Sequence, residues 1–184
     1  MHGNEAPSEW VRRWSHLIAP GSTVLDVACG AGRHLRWLRG LGHSVVGVDR
    51  SAESLAACEG LGELVLADIE SSPWPFAGRQ FGAVVVTNYL WRPLLATLVE
   101  SVAPGGVLIY ETFAHGNETV GRPARPEFLL QPGELLTACT GLRTLAYEDG
   151  FQKNPDRFVQ RITAVRELPP PGGPSRHLLP MWAS

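Results

Sequence analysis

The residues best suited to chemistry begin with a run of small side chains, Ala28-Cys29-Gly30-Ala31-Gly32, which follows an apolar stretch from Thr23 to Val27 with Asp26 embedded in it. Glycines at a strand-to-helix turn let backbone amides approach a ligand, and the helix N-terminus favours an anionic group there. Asp49 comes 19 residues after Gly30 at the end of a second apolar run, and Asp68 ends a third. A carboxylate at a strand end can accept hydrogen bonds from ribose hydroxyls, which suits a cofactor built on adenosine. The glycines narrow the choice of cofactor. A dinucleotide fingerprint requires GxGxxG, whereas Gly30-Ala31-Gly32-Arg33-His34-Leu35 ends in leucine, and this disfavours a nicotinamide.

The elements that must position these residues can be read from hydrophobic pattern and punctuation. Strands are expected over Thr23 to Val27, Ser44 to Val48, Leu64 to Ala67, Phe81 to Thr87 and Val107 to Glu111. Helices fall between them: Arg33 to Arg39 stopped by Gly40, a Ser51-capped helix through Cys58 stopped by Gly60, and one opened by Pro93 and running to about Ser101. Strands alternating with helices imply a parallel sheet covered on both faces. Pro104-Gly105-Gly106 is expected to turn the chain into the fifth strand. Beyond it, residues 113–131 lack periodicity, Pro132 to Ala138 reads as a helix, and Arg143 to Glu148 and Phe158 to Arg166 read as a closing antiparallel pair. Ahead of the first strand, Trp10, Trp14, Leu17 and Ile18 share one face of a short helix ending before Pro20. The whole reads as one domain over residues 1–167, with 1–20 as an N-terminal helical segment. A Pro/Gly-rich tail over 168–184, extended or disordered, contains Pro169-Pro170-Pro171-Gly172-Gly173-Pro174.

With the strand ends in view, Val24-Leu25-Asp26-Val27-Ala28-Cys29-Gly30-Ala31-Gly32 resembles the first motif of class I S-adenosylmethionine-dependent methyltransferases, with Ala28 in place of the family's usual first glycine. Asp49 matches the family's ribose-binding acid, Asp68-Ile69 its adenine-contacting pair, and Pro104-Gly105-Gly106 its common turn before the fifth strand. The resemblance covers roughly residues 20–166. It implies a Rossmann-like, doubly wound α/β fold, with a mostly parallel seven-stranded sheet and an antiparallel last strand. It also implies S-adenosyl-L-methionine as the cofactor, held by Asp26, Ala28, Gly30, Gly32, Asp49, Arg50, Asp68, Ile69 and Asn88. Tyr110-Glu111-Thr112-Phe113 through Pro132-Gly133-Glu134-Leu135 resembles a stretch of small bacterial methyltransferases of the tellurite-resistance type, whose acceptors are small or undefined.

Methyl transfer from a sulfonium is an in-line displacement, so the protein chiefly aligns reactants and excludes water. A general base matters for a neutral hydroxyl or protonated amine and little for a soft nucleophile. The acceptor is expected beyond the fourth and fifth strands. Asn88, Tyr89 and His115 are the candidate catalytic residues, and Tyr89, Arg92, Glu111, Arg122 and Arg125 the candidate acceptor contacts. Arg92, Arg122 and Arg125 can converge around an anionic small molecule, which is one candidate acceptor. Each residue also has a plainer reading: Tyr89 as a core aromatic, Asn88 as a turn cap, His115 as a loop histidine, and Arg122 and Arg125 as solvated charges. Asn88-Tyr89-Leu90 departs from the NPPY form of many amine- and nucleobase-methylating enzymes.

Composition limits the alternatives. A formal net charge of -2, with one lysine (Lys153) and 15 scattered arginines, offers no broad basic surface for nucleic acid. Three cysteines without a CxxC pair fit a reducing compartment, and neither a metal site, a signal peptide nor a membrane span is read. A cytoplasmic small-molecule methyltransferase is therefore expected. An RNA-directed methyltransferase and a non-catalytic cofactor-binding protein are the competing readings.

Overall fold

In the computed structural model, which describes residues 6–168 and 175–180, the apolar runs form seven strands. These are β1 (Thr23–Val27), β2 (Ser44–Asp49), β3 (Glu63–Leu66), β4 (Phe81–Thr87), β5 (Val102–Phe113), β6 (Arg143–Gln152) and β7 (Arg157–Val165). They build one sheet in the order β3-β2-β1-β4-β5-β7-β6. The first five are parallel, and β7 runs antiparallel to both of its neighbours, β5 and β6. The strand order reverses at β1, next to β4. In an open α/β sheet such a switch point is where a crevice forms beyond the strands' carboxyl ends.

Strand alternation sends Val24, Ala83, Val85, Val107 and Ile109 to one face, where Trp10, Trp14, Leu35, Leu38, Leu55 and Cys58 cover them. On the other face, Leu25, Val84, Val86, Leu108 and Tyr110 meet Phe76, Leu90, Leu94, Leu98, Leu135 and Cys139. The covering helices are α1 (Glu9–Trp14), α2 (Arg33–Gly40), α3 (Ala52–Ala56), α4 (Leu95–Glu100) and α5 (Glu134–Ala138). Ser51 caps α3 as expected, its hydroxyl accepting from Ser54 N at 3.1 Å. Ser8 caps α1 by accepting from the amides of Trp10 and Val11.

Several boundaries differ from the sequence reading. The N-terminal helix stops at Trp14 and tightens into a 3-10 turn over Ser15–Leu17, so Trp10, Trp14 and Ile18 are buried while Leu17 is only half-buried. The fifth strand begins at Val102, ahead of Pro104-Gly105-Gly106, which lies inside the strand as an irregularity. A Cβ on Gly106 would stand 2.9 Å from Ala103 O and 3.0 Å from the carbonyl oxygens of Gly82 and Phe81, so only glycine lets the strands close there. Periodicity reports side-chain burial, and the exposed Pro-Gly pair hides backbone pairing that continues on either side. The last hairpin extends to Gln152 and resumes at Arg157 for a similar reason, its outer half being mostly exposed.

Pro169 to Pro174, the core of the expected tail, lies outside the described residues. Residues 175–180 have no regular secondary structure and return to the N-terminal segment, where Leu178 O lies 2.9 Å from His16 Nε2. Among the described residues no helix is long and apolar enough to cross a membrane.

Candidate active site

At the carboxyl ends of β1, β2, β4 and β5 the loops leave a cleft of about 330 Å³. One end is formed by Ala28, Asp49, Arg50, Asp68, Ile69 and Asn88, with Glu70 beside them. Tyr89, Thr112, Phe113, Pro123 and Phe128 close its other end. A second cleft, of about 440 Å³, meets the first at Ala28 and Asn88 and reaches Gly30, Arg33 and His34.

Strained backbone shapes this junction. Ala28 and Asn88 both have left-handed φ, at +54° and +55°, conformations that ordinarily favour glycine or asparagine. Alanine thus holds the conformation for which the family normally uses glycine. Gly32 is required for a different reason: at φ +78° a Cβ would lie 2.6 Å from Cys58 Sγ. Asp49 ties the loop to β2, its Oδ2 accepting from Gly30 N and its Oδ1 from Ser51 N, both at 2.8 Å.

The carboxylates occupy very different surroundings. Asp26 is 1% exposed, and its Oδ2 has no hydrogen-bond partner. Burial pushes its pKa up to about 8; Arg33 opposes the shift and Asp49 adds to it. Beside it His34, 2% exposed, is lowered to about 3 by burial and by Arg33, so its ring is neutral. Asp68 is held below the usual carboxylate range by the Ser71 hydroxyl and by the Glu70 amide, which donates to Oδ1 at 3.1 Å. Burial, then the neighbouring Glu70 carboxylate, raises the Tyr89 phenol well above its ordinary value. Tyr89 therefore faces the acids Glu70 and Asp68 within the cleft.

The structure brings together Ala28, Asp49, Arg50, Asp68, Ile69, Asn88 and Tyr89 around the first cleft, and Gly30 around the second. Gly32 sits behind the loop as the residue before α2, and Asp26 behind the cleft wall. The other acceptor candidates lie elsewhere. Glu111, 2% exposed, points to the α1 face, where Ser8 Oγ donates to it at 2.8 Å and Arg161 Nε lies 2.5 Å away. Its neighbours Tyr110 and Thr112 take the alternate positions of the strand, and Thr112 lines the cleft.

Arg92 is committed to the loop that carries Phe128. Its guanidinium binds both Glu134 oxygens, at 2.7 and 2.9 Å, and donates to the carbonyls of Glu127 and Leu129. Arg125 is 75% exposed and paired with Glu127, Arg122 is exposed, and His115 is 64% exposed with Glu118 3.8 Å away. Neither these two arginines nor Arg92 or His115 lines the cleft. Of the lining residues, Thr112 lies in the acceptor region expected beyond the fourth and fifth strands, and Phe113, which was not among the candidates, follows from the strand-end rule that found Asp49. Pro123 and Phe128 come from a loop with no period, placed by the hydrogen bonds of Arg92 to Glu127 O and Leu129 O and of Asn117 Nδ2 to Pro123 O.

The chemistry of this donor set fits an adenosyl cofactor: acids beyond the ends of β2 and β3, and behind the glycine loop a buried carboxyl, Asp26, whose Oδ2 has no hydrogen-bond partner. Fold and site together resemble those of class I S-adenosylmethionine-dependent methyltransferases. Residues 24–106 match the family described as Methyltransferase domain. The chain is 30% identical over 152 residues to malonyl-[acyl-carrier protein] O-methyltransferase of Serratia marcescens, covering 71% of this chain and 60% of that protein. It is 32% identical over 130 residues to tRNA U34 carboxymethyltransferase of Pseudoalteromonas translucida, covering 61% of this chain and 40% of that one. The chain thus spans less than two thirds of the length of either relative. Its fold is similar to that of TehB from Haemophilus influenzae, with a TM-score of 0.73 at 20% identity over 90% of this chain and 64% of that one.

Asp49→Ala is expected to weaken S-adenosylhomocysteine binding by about 1–3 kcal/mol, the scale of charge-assisted hydrogen bonds. Titration calorimetry measures this, and an unchanged dissociation constant contradicts the ribose assignment.

Proposed function

We propose that the protein transfers the methyl group of S-adenosyl-L-methionine to a small, largely apolar acceptor that brings its own nucleophile. The observation that carries this reading is the first cleft, which joins Asp49 and Asp68 at one end to Thr112, Phe113, Pro123 and Phe128 at the other. When bound, the cofactor supplies an electrophilic methyl group on a sulfonium. Asp49 would accept from the ribose hydroxyls, Asp68, Ile69 and Arg50 would frame the adenine, and Gly30 with Asp26 behind it would serve the amino-acid end. Asn88, where the two clefts meet, is the residue best placed to orient the reacting groups. Phe113, Pro123 and Phe128 exclude water and align the acceptor, the main demands of a displacement reaction.

The exposed positions of His115, Arg122 and Arg125 and the commitment of Arg92 to Glu134 favour this acceptor over an anionic one. A soft nucleophile such as a thiolate reacts without a base. Cys29, Cys58 and Cys139 are buried free thiols, which supports a cytoplasmic location. A second reading, an RNA acceptor, is favoured by the likeness to the tRNA carboxymethyltransferase. It predicts salt-dependent retention of bulk RNA in filter binding.

The first test is a thermal melt with S-adenosylhomocysteine, using NAD as the control. At ligand about 100-fold above its dissociation constant, binding contributes about 2.7 kcal/mol, a rise of roughly 5–10 °C for a domain of this size. A rise with NAD alone, or with neither ligand, overturns the cofactor assignment. Binding without methyl turnover on any metabolite pool points to a non-catalytic cofactor-binding protein.

A further inference from the structure

We propose that His34 and the N-terminal segment are positioning groups for Asp26, and that cofactor capture drives a proton from the Asp26 carboxyl to solvent. The inference rests on the cofactor reading above. It starts from a polar relay that runs from α1 to the glycine loop through the covered face of the sheet.

The backbone N–H of Ser8 donates to His34 Nε2 at 3.1 Å, so that nitrogen carries no proton. The neutral ring therefore holds its single proton on Nδ1, which lies 3.9 Å from Asp26 Oδ2. Ser8 is itself fixed on two sides. Its hydroxyl accepts from the first turn of α1 and donates to Glu111 Oε1, which belongs to β5. One residue of the N-terminal segment thus sets the tautomer of a histidine in α2 whose protonated nitrogen lies 3.9 Å from a carboxyl in β1, just beyond hydrogen-bond reach.

The second cleft ends on this relay. Arg33 and His34 line it directly, and Asp26 stands behind the wall. The charged and titratable groups facing Asp26 are Arg33 and His34 from α2, Asp49 from β2, Cys29 after β1 and Cys58 after α3. Both thiols are themselves raised by burial and cannot discharge an anion. Burial at 1% exposure with no hydrogen-bond partner on Oδ2 favours the protonated carboxyl against the pull of Arg33. An ammonium entering the cleft adds a positive charge in a low-dielectric setting and favours the carboxylate. The O–H bond of Asp26 breaks, the electron pair stays on the carboxylate, and the proton leaves to solvent. The His34 Nδ1–H, held toward Oδ2, stabilises the new charge, and no oxidant or second reactant is needed.

Titration calorimetry with S-adenosylhomocysteine at pH 7, repeated in phosphate and Tris, counts the protons released. The wild-type chain is expected to release close to one, and Asp26→Asn none. Between pH 6 and 7.5 the wild-type dissociation constant should fall by up to about tenfold per pH unit, with no such slope in Asp26→Asn. Ser8 has φ -52°, which proline accepts, so Ser8→Pro and Ser8→Ala both lose the hydroxyl but only the proline variant loses the N–H to His34. At pH 7, Ser8→Pro should bind about tenfold more weakly than Ser8→Ala, the scale of one hydrogen bond to a group that bears on a charge.

Equal affinity in the two Ser8 variants overturns the role of the N-terminal segment. Binding by the wild type without proton release overturns the role of Asp26. Absence of any S-adenosylhomocysteine binding overturns the cofactor reading, and this inference with it.

Discussion

Arg161→Met is expected to destabilise the protein by about 3 kcal/mol while leaving S-adenosylhomocysteine affinity nearly unchanged. Arg161 Nε lies 2.5 Å from Glu111 Oε2, and its Nη1 donates to Glu148 at 3.1 Å. Removing one partner of a buried pair leaves an uncompensated charge, which costs about 3–5 kcal/mol. Arg157 Nη2, 3.8 Å from the same oxygen, offsets part of the loss and places the expectation at the lower end of that range. Urea denaturation gives the stability, and calorimetry the affinity. A strong loss of affinity with stability intact would return Glu111 to the ligand site, where its place in the sequence first suggested it.

Asp26→Asn is expected to stabilise the ligand-free protein at neutral pH while weakening cofactor binding. The folded-state pKa of Asp26 is raised from 3.8 to about 8, so across that window the folded protein holds a proton that the unfolded chain has released. Stability therefore falls as pH rises through the window, by at most about 1.4 kcal/mol per pH unit, and levels off above it. Asparagine cannot ionise, and the slope should vanish. The difference between the two proteins should change by roughly 4 kcal/mol between pH 4 and pH 7.5; allowing for the cost of burying an amide, a loss of roughly 2 kcal/mol near pH 4 and a gain of roughly 2 kcal/mol at pH 7.5 are expected. Urea midpoints at the two pH values decide the matter, and parallel curves for the two proteins would mean that Asp26 is already ionised in the folded state.

Much of the site was legible before any tertiary contact was known, and the reasons differ from residue to residue. Asp49 and Asp68 follow apolar runs that read as strands, and a strand end in a parallel sheet opens on a crevice. Gly32 announces a backbone that no side chain tolerates, and Cys58 Sγ is the atom that enforces it. Ala28 gave no such warning, because alanine at φ +54° breaks the local preference that makes glycine readable.

The arginines proposed for the acceptor end lie outside the cleft for a physical reason. On aperiodic loops they look available for an anion, but Arg92 is bound by Glu134 and two carbonyls, and Arg125 is exposed and paired with Glu127. Pairing partners 42 residues apart in sequence leave no local trace.

By itself the sequence determined the alternation of strands and helices, the glycine loop and the acid that ends the second strand, since each depends on periods and turns within a few residues. Only the tertiary structure decided which face Glu111 occupies, what Arg92 holds, how Phe128 reaches the cleft and how Ser8 governs His34. Those depend on strand register and on contacts between distant segments, where one residue of shift moves a side chain from the cleft to the opposite face.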